Sequence, residues 1–237
     1  EPWKPVVTLQ ALASVATRAR AVAGRLPVVL AAYQHTYDLV PAKASDRAAA
    51  LTMATLLSHG ATQLLAGEHG KLLVDPYYVR NHEAEPSTVV FLSRWYDFAV
   101  EHDALLLDPS IVDVTAAYVG DYNDDLDVMY DAIEVTETAV AGSVWRRVTH
   151  TSEGIVVHLI NLVGQDDTLW DAPRNTPGAT GEGELRFKFV RGQIPRVRVA
   201  DPDRTPRLLD VPVRLDGDHA VATLPALNMW QVVHVAL

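Results

Sequence analysis

The chain has 237 residues, 49% of them hydrophobic, a formal net charge of −10 and no cysteine. That length and apolar share suffice for one large core or two modest ones. The acid excess argues against a non-specific nucleic-acid or anionic-membrane binder, since such surfaces need clustered Lys and Arg. The absence of cysteine excludes disulfides, thiolate metal sites and a cysteine nucleophile, but it does not fix the compartment. No stretch of about eighteen apolar residues occurs, so no membrane span is expected. Nothing at the start reads as a signal peptide.

From Val7 to Ala23, Leu9, Leu12, Ala13, Ala16 and Ala19 recur at helical spacing, and Gly24 follows as a stop. Pro27 to Tyr33 is a continuous apolar run, expected to be a strand buried on both faces. A second helix is expected over Arg47 to Ser58, capped by Ser45 or Asp46, and then a short strand over Thr62 to Ala66. Residues 72–85 read as a loop, and Pro86 opens a third helix that carries Phe91, Trp95, Phe98 and Leu105. Beyond Asp108 strand-like runs alternate with turns: Ser143 to Thr149, Gly154 to Leu162, Glu184 to Val190, Arg196 to Val199, Val211 to Leu215, Ala220 to Leu224 and Trp230 to Ala236. These predict an antiparallel sandwich, with Asp216-Gly217 as a hairpin turn. Two parallel-type strands cannot close a sheet, so the segment reads as the C-terminal piece of a larger enzyme.

Four motifs, in order, carry a resemblance. They are Ala31-Ala32-Tyr33; the stretch from Gly60 through Gln63 to Gly67-Glu68; Tyr96-Asp97-Phe98, with Trp95 before it and Leu105 to Asp108 after it; and His158-Leu159-Ile160-Asn161-Leu162, followed by Leu169-Trp170-Asp171. Together they resemble glycoside hydrolase family 66, the dextranases and cycloisomaltooligosaccharide glucanotransferases. Ala61, Gln63 and Leu65 stand where that family has a glycine, a histidine and a glutamate. Leucine cannot hydrogen-bond a sugar, so the subsite built there is expected to differ or to be lost.

The resemblance implies the C-terminal part of a (β/α)8 barrel over residues 1–108 and an antiparallel β-sandwich over 109–237. It also implies a retaining mechanism on an α-glucan, with α-1,6-linked glucan favoured. Such chemistry needs a nucleophilic carboxylate and a proton-donating carboxyl about 5 Å apart. The family's proton donor lies two residues before a tryptophan and some thirty residues upstream of the alanine-alanine-tyrosine strand, a pattern met by Glu1-Pro2-Trp3. Glu1 is thus the expected general acid/base, and Trp3 a sugar-stacking wall; a frayed, charged terminus is the alternative reading. Tyr33, Gln34 and His35 at the end of one strand, and Gln63 and Glu68 along and after the next, are the expected substrate contacts. The nucleophile would lie on an earlier strand, so this chain alone is not expected to run the double displacement.

Tyr96, Asp97 and Phe98 are read as packing residues and His158 as a core histidine. Asp121, Asn123 and Asp125 offer calcium-type oxygen ligands but lack the glycine and glutamate of a calcium loop, so no cofactor is expected and calcium at these residues is the alternative. The expected partners are an oligo- or polysaccharide and the N-terminal remainder of the barrel, with neither nucleic acid nor membrane. The residues do not fix the localisation, and the resemblance favours an extracellular or secreted bacterial protein. The competing reading is a non-catalytic carbohydrate-binding or structural module.

Overall fold

The computed structural model describes residues 6–75, 81–120, 123–189 and 195–236. The chain divides into two compact units, Glu1–Pro109 with Asp167–Thr176, and Ser110–Asp166 with Pro177–Leu237. Residues 167–176, placed by the sequence among the strands of the second part, thus belong to the first unit.

The first unit begins with helix α1 (Leu9–Ala23). Thr8 caps it by accepting the Ala11 N–H, and Gly24 ends it at φ +62°. Strand β1 (Val29–Leu30) pairs in parallel with β2 (Thr62–Gln63), Val29 opposite Thr62 and Leu30 opposite Gln63. Between them lie the short helix α2 (Thr36–Leu39) and the long helix α3 (Ala42–Ser58). α3 starts five residues earlier than expected, at Ala42, with Pro41 as its N-cap residue. The two expected caps have other roles: Ser45 is buried within the helix, and Asp46 accepts hydrogen bonds from Tyr37 (2.9 Å) and Thr88 (2.8 Å).

After β2, the segment read as a loop contains an antiparallel hairpin of β3 (Lys71–Leu73) and β4 (Asn81–Glu83). Helices α4 (Pro86–Glu101) and α5 (Asp103–Leu106) follow. Trp95 and Phe98 are fully buried, as their helical spacing predicts.

The β1 and β2 segments are not buried on both faces, because among the described residues helices cover only one side of the pair. Val29 is 57% exposed and Leu64 46%, whereas Leu30 is 8% and Leu65 0%. One face of the pair is therefore covered and the other bare. Gln34 shares its parity with Leu30 and Ala32 and bonds Thr52 of α3, which identifies the covered face as the one toward that helix.

The second unit is built of β-strands apart from a short 3-10 turn at Thr115–Tyr118. Its strands are β5 (Val112–Asp113), β6 (Leu126–Tyr130), β7 (Val135–Thr136), β8 (Val144–Thr151), β9 (Gly154–Asn161), β10 (Gly183–Lys188), β11 (Arg196–Asp201), β12 (Thr205–Asp210), β13 (Val213–Asp216), β14 (His219–Leu224) and β15 (Trp230–Ala236). One sheet has the order β13-β14-β10-β6, and the other runs β12-β11-β15-β9-β8-β5 with β7 beside β8. All neighbours are antiparallel except β7 and β8. Leu126, Val128, Leu185, Phe187, Ala220 and Ala222 from one sheet join Val148, Val157, Leu159, Val197, Val199, Val233 and Val235 from the other in a single apolar core. Gly217 takes φ +65° in the expected turn between β13 and β14. His158 is buried and stacks on Trp230 at 6.1 Å.

Candidate functional site

Parallel strands flanked by helices present their functional residues at their C-terminal ends. In the first unit those ends are joined by β3. The Gln34 N–H donates to Leu73 O (3.2 Å), the Leu73 N–H to Leu65 O (2.8 Å), and the Gly67 N–H to Lys71 O (2.7 Å). The hairpin thereby holds the exit of β1 beside the exit of β2. Tyr33 is half-buried, and His35 and Glu68 are exposed. Glu68 opens a tight turn in which His69, at φ +57°, and Gly70, at φ +72°, are both left-handed, a backbone uncommon for residues other than glycine.

Gln34 and Gln63 are placed differently. Gln34 is fully buried: its Nε2 donates to Thr52 Oγ1 at 2.7 Å, and its Oε1 accepts the Thr36 hydroxyl at 3.4 Å. Gln63 is 3% exposed and donates through Nε2 to Ala32 O at 2.6 Å. Both amides face the covered side of the strands and offer no surface to a sugar. Leu65 shares that side, so its lack of a polar group removes no contact from the exposed face. Tyr96, on α4, donates its hydroxyl to Gln63 O at 3.1 Å, and burial raises its pKa. Glu1 and Trp3 lie outside the described residues.

The sequence reading did not single out Asp171 as a site residue. Its Oδ1 accepts the Thr36 N–H at 3.4 Å, at the start of α2 and directly after His35. Burial raises its pKa, offset in part by the backbone N–H groups of Thr36 and His35 and by the His35 charge. The residues around it are stitched into the same unit. The Leu9 N–H donates to Thr168 O (2.7 Å), the Trp170 N–H to Val7 O (3.2 Å), Trp170 Nε1 to Val6 O (2.8 Å), and Arg47 Nε to Arg174 O (2.7 Å). The sequence carries a signal in Leu169-Trp170-Asp171, but a motif lying among strands gives no reason to place it at the end of β1. Next to this region His82 pairs with Asp38 at 3.2 Å and its ring lies 5.9 Å from that of Tyr37.

A hollow lined by Arg20, Gly24, Pro27, Val28, Gly60 and Thr62 lies at the opposite, N-terminal ends of β1 and β2, away from these residues. Of the three oxygen-bearing residues considered for calcium, Asp121 lies outside the described residues. Asn123 donates to Tyr118 O and Leu126 O, and Asp125 pairs with Lys188 at 3.2 Å. No cluster of three or more His, Asp or Glu side chains suited to a metal occurs among the described residues, and no helix among them is long and apolar enough to cross a membrane.

Comparison with known proteins gives a consistent picture. Two curated proteins of Niallia circulans, both described as cycloisomaltooligosaccharide glucanotransferase, are 26% identical over 194 residues and 25% identical over 197, each match covering 78% of this chain. The chain spans 19% of the length of either relative. A crystal structure of the Paenibacillus sp. cycloisomaltooligosaccharide glucanotransferase, complexed with cycloisomaltoheptaose, superposes with a TM-score of 0.67 at 27% identity, covering 79% of this chain and 27% of that one. The family model described as Glycosyl hydrolase family 66 matches residues 1–234, through both units, and the chain belongs to that family.

Proposed function

We propose that the chain is the C-terminal portion of a glycoside hydrolase or transglycosylase that acts on an α-glucan by a retaining mechanism, with α-1,6-linked glucan as the favoured substrate. The observation that carries this reading is the family match across residues 1–234, which takes in the parallel strand pair as well as the two sheets. A match through both units does not favour a free-standing carbohydrate-binding module.

In this reading β1 and β2 are the last two strands of a (β/α)8 barrel, and the two sheets form a β-sandwich that follows it in the chain. The bare face of the pair, with Val29 and Leu64, is the side that faces the barrel interior, and the free strand edges pair with strands supplied by the rest of the enzyme. Tyr33, His35 and Glu68, at the strand ends, line the sugar site. Glu1 is the general acid/base and Trp3 a stacking wall, while the nucleophilic carboxylate comes from an earlier strand. The reaction needs two carboxyl groups and no cofactor.

The test is the full-length protein assayed on dextran and isomaltooligosaccharides beside its Glu1→Gln variant. Cleavage or transfer is expected for the first, with a loss of about a thousandfold or more for the second, the scale of removing general acid catalysis together with its later base role. A fully active Glu1→Gln protein removes the assignment of Glu1. The 237-residue chain by itself is expected to release no reducing sugar, and release would show that it holds both carboxyls.

A further inference from the structure

Around the exit of β1 four side chains, the Thr36 main-chain N–H and the Trp170 main-chain carbonyl form a ring that closes through the Trp170–Asp171 peptide link. The Thr36 hydroxyl donates to Gln34 Oε1, Gln34 Nε2 donates to Thr52 Oγ1, and the Thr52 hydroxyl donates to Trp170 O at 3.3 Å. The next residue, Asp171, closes the ring by accepting the Thr36 N–H. Gln34, Thr36 and Thr52 are each 0% exposed, so water does not compete for these bonds. The three side-chain bonds run in one direction, from the Thr36 hydroxyl through the Gln34 amide to the Thr52 hydroxyl, so that each polarises the next, while the Thr36 N–H donates the other way, to Asp171. Three parts of the chain meet here: the turn after β1, the middle of α3, and residues 167–176. The one exposed residue enclosed by the ring is His35, between Gln34 and Thr36.

We propose that Asp171, together with the Gln34–Thr52 bond, is a positioning device that fixes the turn carrying His35 at the sugar site. This rests on the functional reading above. A turn of four residues, 33–36, without such anchors would sample several backbone conformations, and each would present Tyr33 and His35 differently to a ligand. The ring removes that freedom from the buried side and leaves the exposed side for the sugar. Asp171 touches no reacting atom in this arrangement; it acts through the Thr36 amide.

The experiment uses the full-length protein with Asp171→Ala and Asp171→Asn, and reads amide exchange of residues 33–37 together with KM and kcat on an isomaltooligosaccharide. Asparagine keeps an oxygen that accepts the Thr36 N–H, whereas alanine removes it. Asp171→Ala is expected to speed exchange at Thr36 about tenfold and to raise KM by a similar factor with kcat nearly unchanged, and Asp171→Asn to restore both, in line with the loss of one hydrogen bond to a charged acceptor. Unchanged exchange in Asp171→Ala overturns the proposal. Faster exchange with unchanged KM also overturns it, because the bond would then be structural only. A wild-type protein inactive on every α-glucan overturns the functional reading on which the sugar site depends, and is distinguished from the other failures because exchange at Thr36 still responds to Asp171→Ala.

Discussion

Gln34 Nε2 lies 2.7 Å from Thr52 Oγ1, with both residues fully buried. This bond joins the end of β1 to the middle of α3 in a place where an unpaired amide has no access to water. Thr52→Val keeps the shape and strands the amide, so a loss of about 1–3 kcal/mol is expected. Combining it with Gln34→Leu removes the stranded group, and the double variant should be less destabilised than the sum of the two single changes. Urea unfolding of the four proteins decides this; strict additivity would mean that the bond contributes nothing specific.

Asp201, at the end of β11, is 2% exposed, and burial raises its pKa to about 6. The neighbouring Asp203 charge adds to the rise, while the N–H groups of Asp203 and Arg204, both donating to Oδ1, and the Arg204 charge oppose it. A carboxyl whose pKa is raised on folding favours the protonated native state. Its contribution is most favourable below the ordinary value of 3.8 and is lost as the pH climbs through about 6. Asp201→Asn keeps an oxygen for the two N–H groups and cannot ionise. Its stability relative to wild type should therefore grow by about 2 kcal/mol between pH 4 and pH 8. An equal difference at both pH values, measured by urea unfolding, would exclude Asp201 as the titrating group.

Leu65→Glu would place at that position the glutamate that the family carries in its motif. Leu65 is 0% exposed on the face of the strands turned toward α3, so the new carboxylate would enter an apolar core without a partner. A loss of about 3 kcal/mol or more at neutral pH is expected, easing in acid as the carboxyl becomes protonated. Thermal unfolding at pH 4 and pH 7 checks both the size and the sign. A variant as stable as wild type at pH 7 would show that the position is not closed.

Legibility in the sequence followed the strength of the local pattern. β15 was delimited at Trp230 and Ala236 because alternation, aromatic content and turn signals agree there, and α1 was found because its apolar stripe ends at Gly24. β12 escaped notice because it is an edge strand with Pro206 and polar residues along it, so no buried face imposed a pattern. β6 lies in an aspartate-rich stretch, although its burial alternates strictly from Leu126 to Tyr130. The β3–β4 hairpin was hidden by the tyrosines and prolines around it. At the site, the position of Gln34 after a strand was legible but its direction was not. The parity that turns it toward Thr52 depends on which face α3 covers, and that is a tertiary choice. Asp171 was invisible as a site residue for the same reason, since 135 positions separate it from Thr36.

Two glycines of the second unit separate backbone strain from collision. Gly217 has φ +65° with nothing near a new Cβ, so Gly217→Ala should lose only the cost of a left-handed alanine, about 1 kcal/mol. Gly154, at φ +131°, opens β9, and a Cβ there would lie 2.2 Å from Val235 O on the neighbouring strand β15. That carbonyl belongs to the ladder in which Ile155 stands opposite Val235, so it cannot move aside without breaking the pairing. Gly154→Ala should therefore cost more than Gly217→Ala, by about 2 kcal/mol, because the strain of the backbone and the displacement of β15 add. Thermal unfolding of the two variants side by side makes the comparison. Equal losses would mean that β9 and β15 separate freely at this end, and that the closed ladder between them does not hold the edge of the core at Val235.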